Sequence, residues 1–398
     1  MKDRVKAIGF YARGETHWKS VCADTVAGIF RITPERIPSH WHRVPFVRAM
    51  VHEEFRVLSY LIDWKDAFAE SPRLEMEWCN INNLIEFRAG LQKLKTSPLV
   101  VILHSAAWDH LALLRAAVSY FQDRRGKLLV LFGNEYHNMP EKIGFVKSVD
   151  AEYIASQLPL RSAQWLYAEC AHSAILPAPQ ALNPKVYRPQ GGLRPIDIGF
   201  RGDLYAHPYA LGDLDRTTLL QYLDHRAEQW GLRKDIAFVR HPRDQWCAFL
   251  NSCKAVVGAE SGTSYLERDD RTRLAVIEYT KNNPGVTFKD VYDRFFRDCP
   301  NPVSGKAISS RHFEPIGTKT CQILLDGEYN GILKADEHYI RIKKDLSNAD
   351  EAIGRFKDED YRRAMADRTY EFVMDGHTYQ HRVEALIRSV LSGGVPSC

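Results

Sequence analysis

The chain has 398 residues, of which 45% are hydrophobic and 26% are charged, and its formal net charge is +4. This length exceeds one ordinary hydrophobic core and indicates two domains, and the composition excludes a disordered or fibrous protein. The small net charge does not favour nucleic acid as a partner, but it is compatible with anionic small ligands or a mildly attractive membrane surface.

The N-terminal sequence MKDRVKAIGFYARGE contains no apolar segment typical of a secretory signal. No stretch approaches the roughly 18 uninterrupted apolar residues of a membrane span. The eight cysteines are scattered and form no C-x-x-C pair. We therefore expect reduced thiols in a cytoplasmic protein, with no structural zinc and no cofactor.

The first half of the chain alternates between apolar runs and segments with helical periodicity. Strands are predicted at 5–12, 98–105, 127–135 and 151–156, and runs this apolar are typical of strands buried on both faces of a parallel sheet. The segment 106–125, AAWDHLALLRAAVSYFQDRR, is predicted to form a helix between the second and third of them. Strand, helix and strand in this order indicate a right-handed β-α-β unit.

Residues 176–195 contain five prolines and two adjacent glycines, which indicates a linker and a domain boundary near 190. The alternation then resumes, with strands predicted at 196–203, 235–242, 255–264 and at CQILL (321–325). The charged segment 265–306 is predicted to be an irregular insertion. Two terminal helices are predicted, with a break at Asp375-Gly376.

These elements predict an α/β fold with two Rossmann-like doubly wound domains, residues 1–190 and 191–375, facing a cleft. Ligands of such sheets bind beyond the carboxyl ends of the strands. The segment 376–398 is expected to be a helix that crosses back onto the N-terminal domain, with Tyr379, Val383, Leu386, Ile387 and Val390 packed there.

The segment 307–320, AISSRHFEPIGTKT, places many polar groups directly ahead of an apolar strand. The segment predicts an anion site that suits a diphosphate. The expected contacts are its hydroxyls, the backbone N–H groups at a helix start, and the cations Arg311 and Lys319. Glu314 could accept hydrogen bonds from ribose hydroxyls. A purely structural alternative is that Ser309 and Ser310 cap the helix while Glu314 pairs with Arg311.

Two further loops of the second half suit phosphate binding. Arg201 lies at the end of the first predicted strand of this half, and GAESGTS lies at the end of another, where the strand runs into a turn. Because both are expected at one sheet edge, they strengthen the prediction of an anion site, although the second loop could be an ordinary turn. The polar residues of that loop are Ser261, Gly262, Thr263 and Ser264.

At these residues the sequence resembles a known group. SSRHFEPIGTKTCQIL resembles the RxFE…ACGTPxLT signature of GT-B fold glycosyltransferases, namely the group 1 and spore-maturation-protein-like transferases. NSCKAVVGAESGTS and the terminal TYQHRVEALI resemble neighbouring blocks of the same group. The resemblance covers roughly residues 98–391 and is strongest from 250 to 390.

The resemblance implies a nucleotide-sugar donor on the C-terminal domain, residues 191–375, and an acceptor on the N-terminal domain, residues 1–190. Glu314 would bind the ribose, while Gly317, Thr318 and Lys319 would lie under the diphosphate and sugar. Many retaining members carry a second glutamate eight residues before the ribose-binding one, and here that position is Lys306. The other predicted contacts of the donor are Ser310, Arg311 and His312.

Polar residues follow three of the four predicted strands of the first domain, where catalytic groups of such folds lie. Transfer to a hydroxyl requires a general base or stabilisation of a cationic transition state. Each residue could instead be a helix cap or a satisfied polar core group. The candidates are Glu15 and His17 after the first strand, His104, Asp109 and His110 after the second, and Glu135 and His137 after the third. We predict catalytic roles for His17, His104, Asp109 and Glu135, and acceptor binding by Glu15, His17 and His137.

The D-x-D patterns at 213–215 and 358–360 stand ahead of predicted helices, where acidic residues are favoured without a metal, so no metal site is predicted. The resulting hypothesis is a metal-independent glycosyltransferase of surface or secreted polysaccharide assembly. Its partners would be a nucleotide-sugar and a glycan or lipid-linked acceptor, with peripheral association at the inner face of the membrane. The alternatives are a nucleotide-sugar epimerase on the same fold and a catalytically silent nucleotide- or glycan-binding protein.

Overall fold

The computed structural model describes residues 4–32, 37–51, 58–109, 111–203 and 205–392. The chain divides into two compact units. Unit 1 comprises residues 1–178 and 382–398, and unit 2 comprises residues 179–381. No helix of the described ranges is long and apolar enough to cross a membrane.

Unit 1 is built on a six-stranded, wholly parallel sheet. The strand order is β2-β1-β3-β4-β5-β6. The strands are β1 Val5–Tyr11, β2 Leu74–Asn80, β3 Leu99–Ile102, β4 Lys127–Leu131, β5 Tyr153–Ser156 and β6 Ala174–Pro177. The helices are α1 Trp18–Ile29, α2 Pro45–Val51, α3 Ser59–Ala69, α4 Leu84–Lys93, α5 Ala112–Ala116, α6 Val118–Gln122, α7 Met139–Val149 and α8 Leu160–Leu166, with a 3-10 turn at Ser39–Arg43.

The segment 106–125, which the sequence predicts to form one helix, has a different structure. It forms two short helices, α5 and α6, which meet at Ala117, while residues 104–109 form turns. Leu114 and Phe121 are fully buried in their respective helices, which accounts for the apolar periodicity that predicted a single helix.

Unit 2 is built on a five-stranded parallel sheet with the order β13-β12-β9-β7-β8. A separate antiparallel pair joins β10 to β11. The strands are β7 Ile196–Arg201, β8 Lys234–Ala237, β9 Cys253–Gly258, β10 Ser261–Thr263, β11 Gly305–Ala307, β12 Cys321–Leu325 and β13 Ile340–Ile342. The helices are α9 Asp215–Arg226, α10 Arg243–Ser252, α11 Arg271–Asn282, α12 Phe288–Phe295, α13 Ser310–Gly317, α14 Ala349–Lys357 and α15 Glu359–Gly376, with 3-10 turns at Pro208–Leu211 and Tyr329–Gly331.

The sheet of unit 2 is covered on both faces. Val256 and Leu324 pack in one hydrophobic cluster, while their neighbours Val257 and Ile323 pack in another. Successive side chains of a strand point to opposite faces, so these strands are buried on both sides. The sheet is therefore doubly wound.

The segment 265–306 contains two helices, so the prediction of an irregular insertion was wrong. α12 begins with a capping box in which Thr287 and Asp290 exchange hydrogen bonds, and this Thr-x-x-Asp signal was visible in the sequence. The buried Val276 of α11 and Val291 of α12 pack with Ala210 and Phe296 in a small core of their own.

Both sheets have a switch point at corresponding strands. In unit 1 it lies between β1 and β3, and in unit 2 between β7 and β9, because the next connections run to opposite sides of the first strand. The crevice beyond the carboxyl ends of such a strand pair is where open α/β sheets bind ligands. The loops that follow these four strands are therefore the first places to look for a site.

The last helix, α16 Tyr379–Ser392, belongs to unit 1 from residue 382 onward. Glu384 accepts hydrogen bonds from Ser71 and Arg73, each at 2.8 Å, and Lys127 Nζ donates to the carbonyl of Val390 at 2.7 Å. The helix break precedes it at His377 and Thr378, where Leu182 pairs with the backbone on both sides. The lost helical hydrogen bonds are thus replaced by a bridge to another segment.

Candidate functional site

The start of α13 is rigidly built. Ser309 is its N-cap and forms a capping box with His312, whose Nδ1 lies 2.9 Å from the Ser309 backbone nitrogen. Because that N–H donates, Nδ1 must be the acceptor and Nε2 carries the proton, which it donates to the carbonyl of Ala259 at 3.2 Å. Burial lowers the pKa of His312 to about 4, so the ring is neutral. The helix start is thereby tied to the loop after β9.

Arg311 ties the same helix start to the loop after β7. Its Nη1 donates to the carbonyl of Arg201 at 3.0 Å, and its guanidinium lies 4.3 Å from the centre of the Trp246 ring. The hydroxyl of the neighbouring Ser310 forms no hydrogen bond within the described part of the chain. The first turn of α13 therefore lies at the switch point of the sheet with donor groups available for an anion.

Glu314 lies one turn into α13 with only 2% of its surface exposed. Its Oε2 accepts a hydrogen bond of 2.6 Å from the indole of Trp246 and lies 3.9 Å from Arg311 Nε. Among the described residues nothing donates to Oε1. The structural alternative is thus met in part: Ser309 caps the helix, and Glu314 forms a long ion pair with Arg311 while Trp246 makes the shorter contact.

Several cations surround this helix start. Arg201 lies over the ring of Phe249 at 4.1 Å, pairs with Asp235 at 2.7 Å, and donates through Nε to His241. Burial and the charges of Arg201 and Arg311 lower the pKa of His241. Arg216 donates to the hydroxyl of Ser261 at 3.1 Å. Together these groups make this edge of the sheet electropositive, which favours a ligand with more than one negative charge.

The residues 261–264 form the first strand of the β10–β11 pair and the turn after it. Thr263 donates to the carbonyl of Leu211 at 3.0 Å, and Ser264 donates to Asp213. Gly262 has a φ of 88°, and a Cβ there would lie 2.2 Å from the carbonyl oxygen of Gly305, so only glycine fits. Ser261 is the residue of this loop whose hydroxyl meets a cation of the site, while Thr263 and Ser264 are engaged in local structure.

The structure does not bring Gly317, Thr318 and Lys319 together with the start of α13. They stand at the opposite end of the helix, about 12 Å away for eight residues. A Cβ on Gly317 would meet Leu182 at 2.6 Å, Thr318 donates to the carbonyl of Pro315, and Lys319 pairs with Asp367 at 2.7 Å.

In unit 1 the loops after β1 and β3 are joined at the switch point. The backbone N–H of Ala12 donates to the hydroxyl of Ser105 at 3.1 Å. Glu15 is half-buried beyond this point, and His17 is the exposed N-cap of α1, accepting from the Ser20 N–H at 3.1 Å. The Nε2 of His17 also lies 3.3 Å from the Ser20 hydroxyl, so both ring nitrogens contact Ser20, as the capping alternative expects.

Asp109 and His137 form a pair at the carboxyl ends of β3 and β4. The Nδ1 of His137 lies 3.0 Å from Asp109, and Asn134 donates to the same carboxylate at 3.1 Å. Fully buried Lys142 donates to the carbonyls of Gly133 and Asn134 and lies 3.7 Å from Asp109. Burial raises the pKa of Asp109, but the hydrogen bond from His137 and the charge of Lys142 outweigh it and hold the pKa below its ordinary value.

Because Asp109 accepts a hydrogen bond from Nδ1–H, the lone pair of the neutral His137 ring lies on Nε2, and no described residue bonds to that nitrogen. About 30% of the His137 side chain is exposed. This is the geometry of a general base whose ring is oriented by a carboxylate.

Glu135 and His104 are buried in different ways. Both oxygens of Glu135 are engaged: Oε1 accepts from Ser156 at 2.7 Å and Tyr167 at 2.9 Å, and Oε2 accepts from the Gln157 N–H at 2.8 Å. Burial raises the pKa of Glu135. These contacts tie the loop after β4 to the loop after β5, which favours a positioning role.

His104 is 1% exposed, and neither of its ring nitrogens has a hydrogen-bond partner in the described structure. Its ring packs against Trp64 with a centroid distance of 5.5 Å. Burial lowers the pKa of His104 to about 3, so the ring is neutral at physiological pH. His110 lies outside the described residues.

The described ranges contain no cluster of three or more His, Cys, Asp or Glu side chains arranged to hold a metal ion. Asp213 pairs with Lys306 at 2.7 Å and Asp215 with Lys344 at 3.1 Å, while Asp358 is the N-cap of α15. These contacts engage three of the four aspartates of the D-x-D patterns, and the fourth, Asp360, lies in the first turn of α15.

Sequence comparison finds one family model that matches part of the chain. Residues 280–388 match the family model described as glycosyl transferase-like. The matched segment includes α13 with Arg311 and Glu314, so the predicted resemblance to glycosyltransferases is confirmed there. None of the curated proteins matches the chain in sequence.

Solved structures resemble the whole chain. Sucrose-phosphate synthase from Thermosynechococcus elongatus is 9% identical with a TM-score of 0.51, and the alignment covers 98% of this chain and 100% of that one. A glycosyltransferase from Rickettsia africae is 7% identical with a TM-score of 0.49, covering 98% of each chain. Anabaena Alr3699/HepE, in complex with UDP and glucose, is 8% identical with a TM-score of 0.47, and the alignment covers 98% of this chain and 100% of that one.

The predicted fold class is confirmed as α/β with parallel sheets in two domains, in agreement with GT-B glycosyltransferase structures. At these identities the likeness concerns the fold. The residues missed by the sequence interpretation are Trp246 and Arg216. Each lies on a helix distant in sequence from the motif that it contacts.

Proposed function

We propose that the chain is a glycosyltransferase whose unit 2 binds a nucleotide-sugar at the carboxyl ends of its strands. The observation that supports this most is Glu314, a buried carboxylate held by Trp246 with Oε1 unengaged, beside a helix start at the switch point. A carboxylate so placed can accept both hydroxyls of a ribose. The likeness of the fold to glycosyltransferases agrees with this.

The cations around Glu314 suit the diphosphate of the donor. Arg201, Arg216 and Arg311 are already oriented by carbonyl, hydroxyl and aromatic partners. Preorganised charges of this kind stabilise a leaving group without reorganisation during the reaction. Breaking the bond from the anomeric carbon to the diphosphate oxygen leaves a nucleoside diphosphate, whose developing charge the guanidinium groups would balance. This supports metal-independent transfer.

Unit 1 would supply the groups that act on the acceptor. His137 Nε2 would remove the proton of an acceptor hydroxyl as its oxygen attacks the anomeric carbon, and Asp109 would stabilise the imidazolium that results. A direct attack assisted by a base favours inversion at that carbon. Glu15 and His17 stand at the neighbouring strand end and would contact the acceptor.

The acceptor we propose is a glycan or lipid-linked hydroxyl, in the assembly of surface or secreted polysaccharide by a cytoplasmic enzyme. A donor-hydrolysis assay separates the candidate functions. A transferase slowly releases free nucleotide from its donor (a nucleoside diphosphate, or CMP from a CMP-sugar), an epimerase interconverts sugars on the intact nucleotide, and a binding protein does neither. We expect slow release from one donor among UDP-, GDP-, dTDP- and CMP-sugars. Sugar interconversion, or binding without release, would contradict the proposal.

A further inference from the structure

A basic pocket lies at the amino ends of the strands of unit 2, the edge opposite to the one that carries Glu314. Its walls include the loop 192–195 before β7, Lys254 in β9, Cys321 at the start of β12 and the first turns of α15, and its volume is about 450 Å³. Strands of five or six residues separate the two edges by about 15–20 Å. The pocket is thus distinct from the proposed donor site.

Cations dominate the lining of this pocket. They are Arg194, Arg233, Lys254, Lys319, Arg362 and Arg363. Three carboxylates partner some of them: Asp197 pairs with Lys254 and Arg233, Asp367 with Lys319, and Glu359 with Arg363. The six cations therefore exceed their three acidic partners, and the pocket has a formal excess charge of +3.

Two of the arginines have no carboxylate partner within the described residues. Arg194 is held by the carbonyls of Leu250, Cys253 and Thr318 at 2.6–3.1 Å, so its position is fixed. Arg362 donates through Nη1 to the carbonyl of Phe356 at 2.6 Å. The two charges act on each other, because burial and the nearby Arg362 lower the pKa of Arg194. An anion between them would relieve this repulsion.

We propose that this pocket binds a ligand with a phosphate or diphosphate group. Guanidinium forks match phosphate oxygens in pairs, and an excess charge of three suits a multivalent anion better than a single carboxylate. The volume accommodates a phosphorylated small molecule or a lipid headgroup. Leu193, 92% exposed on a turn that begins with Gly191 and Gly192, adds an apolar contact at the rim.

The first test is calorimetric titration of the full-length chain with inorganic pyrophosphate. The variant Arg362→Gln with Lys319→Ala removes two of the cations, and Lys334→Ala is the control because Lys334 also pairs with an acidic neighbour, Glu337. We expect the double variant to lose about tenfold or more in affinity, because it lacks two of the charged donors that the phosphate oxygens would contact. The control should bind as the unchanged chain does.

Sedimentation with vesicles distinguishes the two sources of phosphate. Binding to vesicles of phosphatidylglycerol and phosphatidylcholine, lost in the double variant and weakened by Leu193→Asn, assigns the phosphate to a lipid headgroup. Pyrophosphate binding without vesicle binding assigns a soluble ligand. The proposal would be overturned if the chain binds neither pyrophosphate nor vesicles, or if the double variant binds as well as the unchanged chain.

A titration of Arg311→Ala with pyrophosphate keeps this inference separate from the proposed donor site. Arg311 lies at the other edge of the sheet, so its removal should leave pyrophosphate binding at the basic pocket unchanged. A loss in Arg311→Ala with none in the double variant would place the pyrophosphate at the carboxyl edge instead and overturn the proposal. If the chain binds pyrophosphate at the basic pocket but binds no nucleotide, the proposed donor site is contradicted and the inference about the basic pocket stands.

Discussion

The indole of Trp246 donates a hydrogen bond of 2.6 Å to Oε2 of Glu314, across 68 positions of sequence. Both side chains are buried, at 4% and 2% exposure. The contact fixes the carboxylate one turn into α13 and leaves its other oxygen, Oε1, for a ligand. The proposed donor site depends on this relationship, because a carboxylate that rotates freely would not present a defined acceptor to a ribose.

Replacing Trp246 with phenylalanine should both destabilise the protein and weaken nucleotide binding. The buried carboxylate loses its donor, which costs about 1–3 kcal/mol. Trp230→Phe is the matched control, since that indole donates to Asp350 at 2.7 Å on the exposed surface. Chemical denaturation and nucleotide titration measure the two effects. Equal stabilities of the two variants would show that the contact with Glu314 contributes little.

Arg311→Ala should weaken the binding of a nucleoside diphosphate far more than the binding of the nucleoside. The guanidinium faces the helix start, where the diphosphate is expected, and a charged hydrogen bond is worth roughly 1.5–3 kcal/mol. Titration with both ligands measures the difference. Arg297→Ala, a surface arginine paired with Asp293, is the control. Equal losses for nucleoside and nucleoside diphosphate would mean that Arg311 acts through folding.

Asp109→Asn should reduce turnover while leaving donor binding unchanged. The amide cannot stabilise a protonated His137, so the base is impaired while the nucleotide site in unit 2 stays intact. Asp150→Asn is the control, because Asp150 also pairs with a histidine, His172, at 3.1 Å on the surface. The readouts are kcat and the affinity for the donor. A normal kcat in Asp109→Asn would exclude the dyad from catalysis.

The buried His104 should make the protein sensitive to mild acid. Its native pKa of about 3 lies below the ordinary 6.5. The unfolded chain therefore binds a proton below pH 6.5 that the native chain does not bind. The share of the free energy of unfolding that depends on neutral His104 is fully present above pH 6.5 and decreases as the pH falls toward 3. By linkage this amounts to about 1.4 kcal/mol per pH unit, or about 2 kcal/mol between pH 7 and pH 5.

His104→Gln should remove this share of the pH dependence, as measured by chemical denaturation at pH 7 and pH 5. His172→Gln, which replaces an exposed histidine, should leave the pH dependence unchanged. If the His104→Gln chain loses as much stability on acidification as the unchanged chain, another group is responsible.

The sequence predicted the central strands because their apolar runs are continuous. All four residues of β3 are buried, as are all five of β12. β2 was missed because it lies at the sheet edge and its Leu-Glu-Met-Glu pattern alternates buried and exposed positions. β13, with three residues, is too short to show a period. Apolar runs thus identify strands that are buried on both faces, and an edge strand is harder to predict because fewer of its side chains are buried.

The site was predicted in part for the same kind of reason. Parallel strands end at one edge, so Arg201, Arg311 and Glu314 could be expected to lie near one another, and the structure places them there. Trp246 could not be found this way, because a tryptophan on an amphipathic helix is indistinguishable in sequence from ordinary core. Lys319 was grouped with Glu314 because the two are close in sequence. It lies beyond the C-terminal end of α13, however, and pairs with Asp367 at the amino ends of the strands.

The central claim is tested most directly by calorimetric titration of the full-length chain with UDP-, GDP-, dTDP- and CMP-sugars. One donor class should bind, and Glu314→Gln should weaken that binding by roughly tenfold to a hundredfold, since hydrogen bonds to a charged acceptor are worth about 1.5–3 kcal/mol. Lys319→Ala should bind the same donor normally. Binding of no nucleotide-sugar, or equal affinity in Glu314→Gln, would contradict a donor site at this carboxylate.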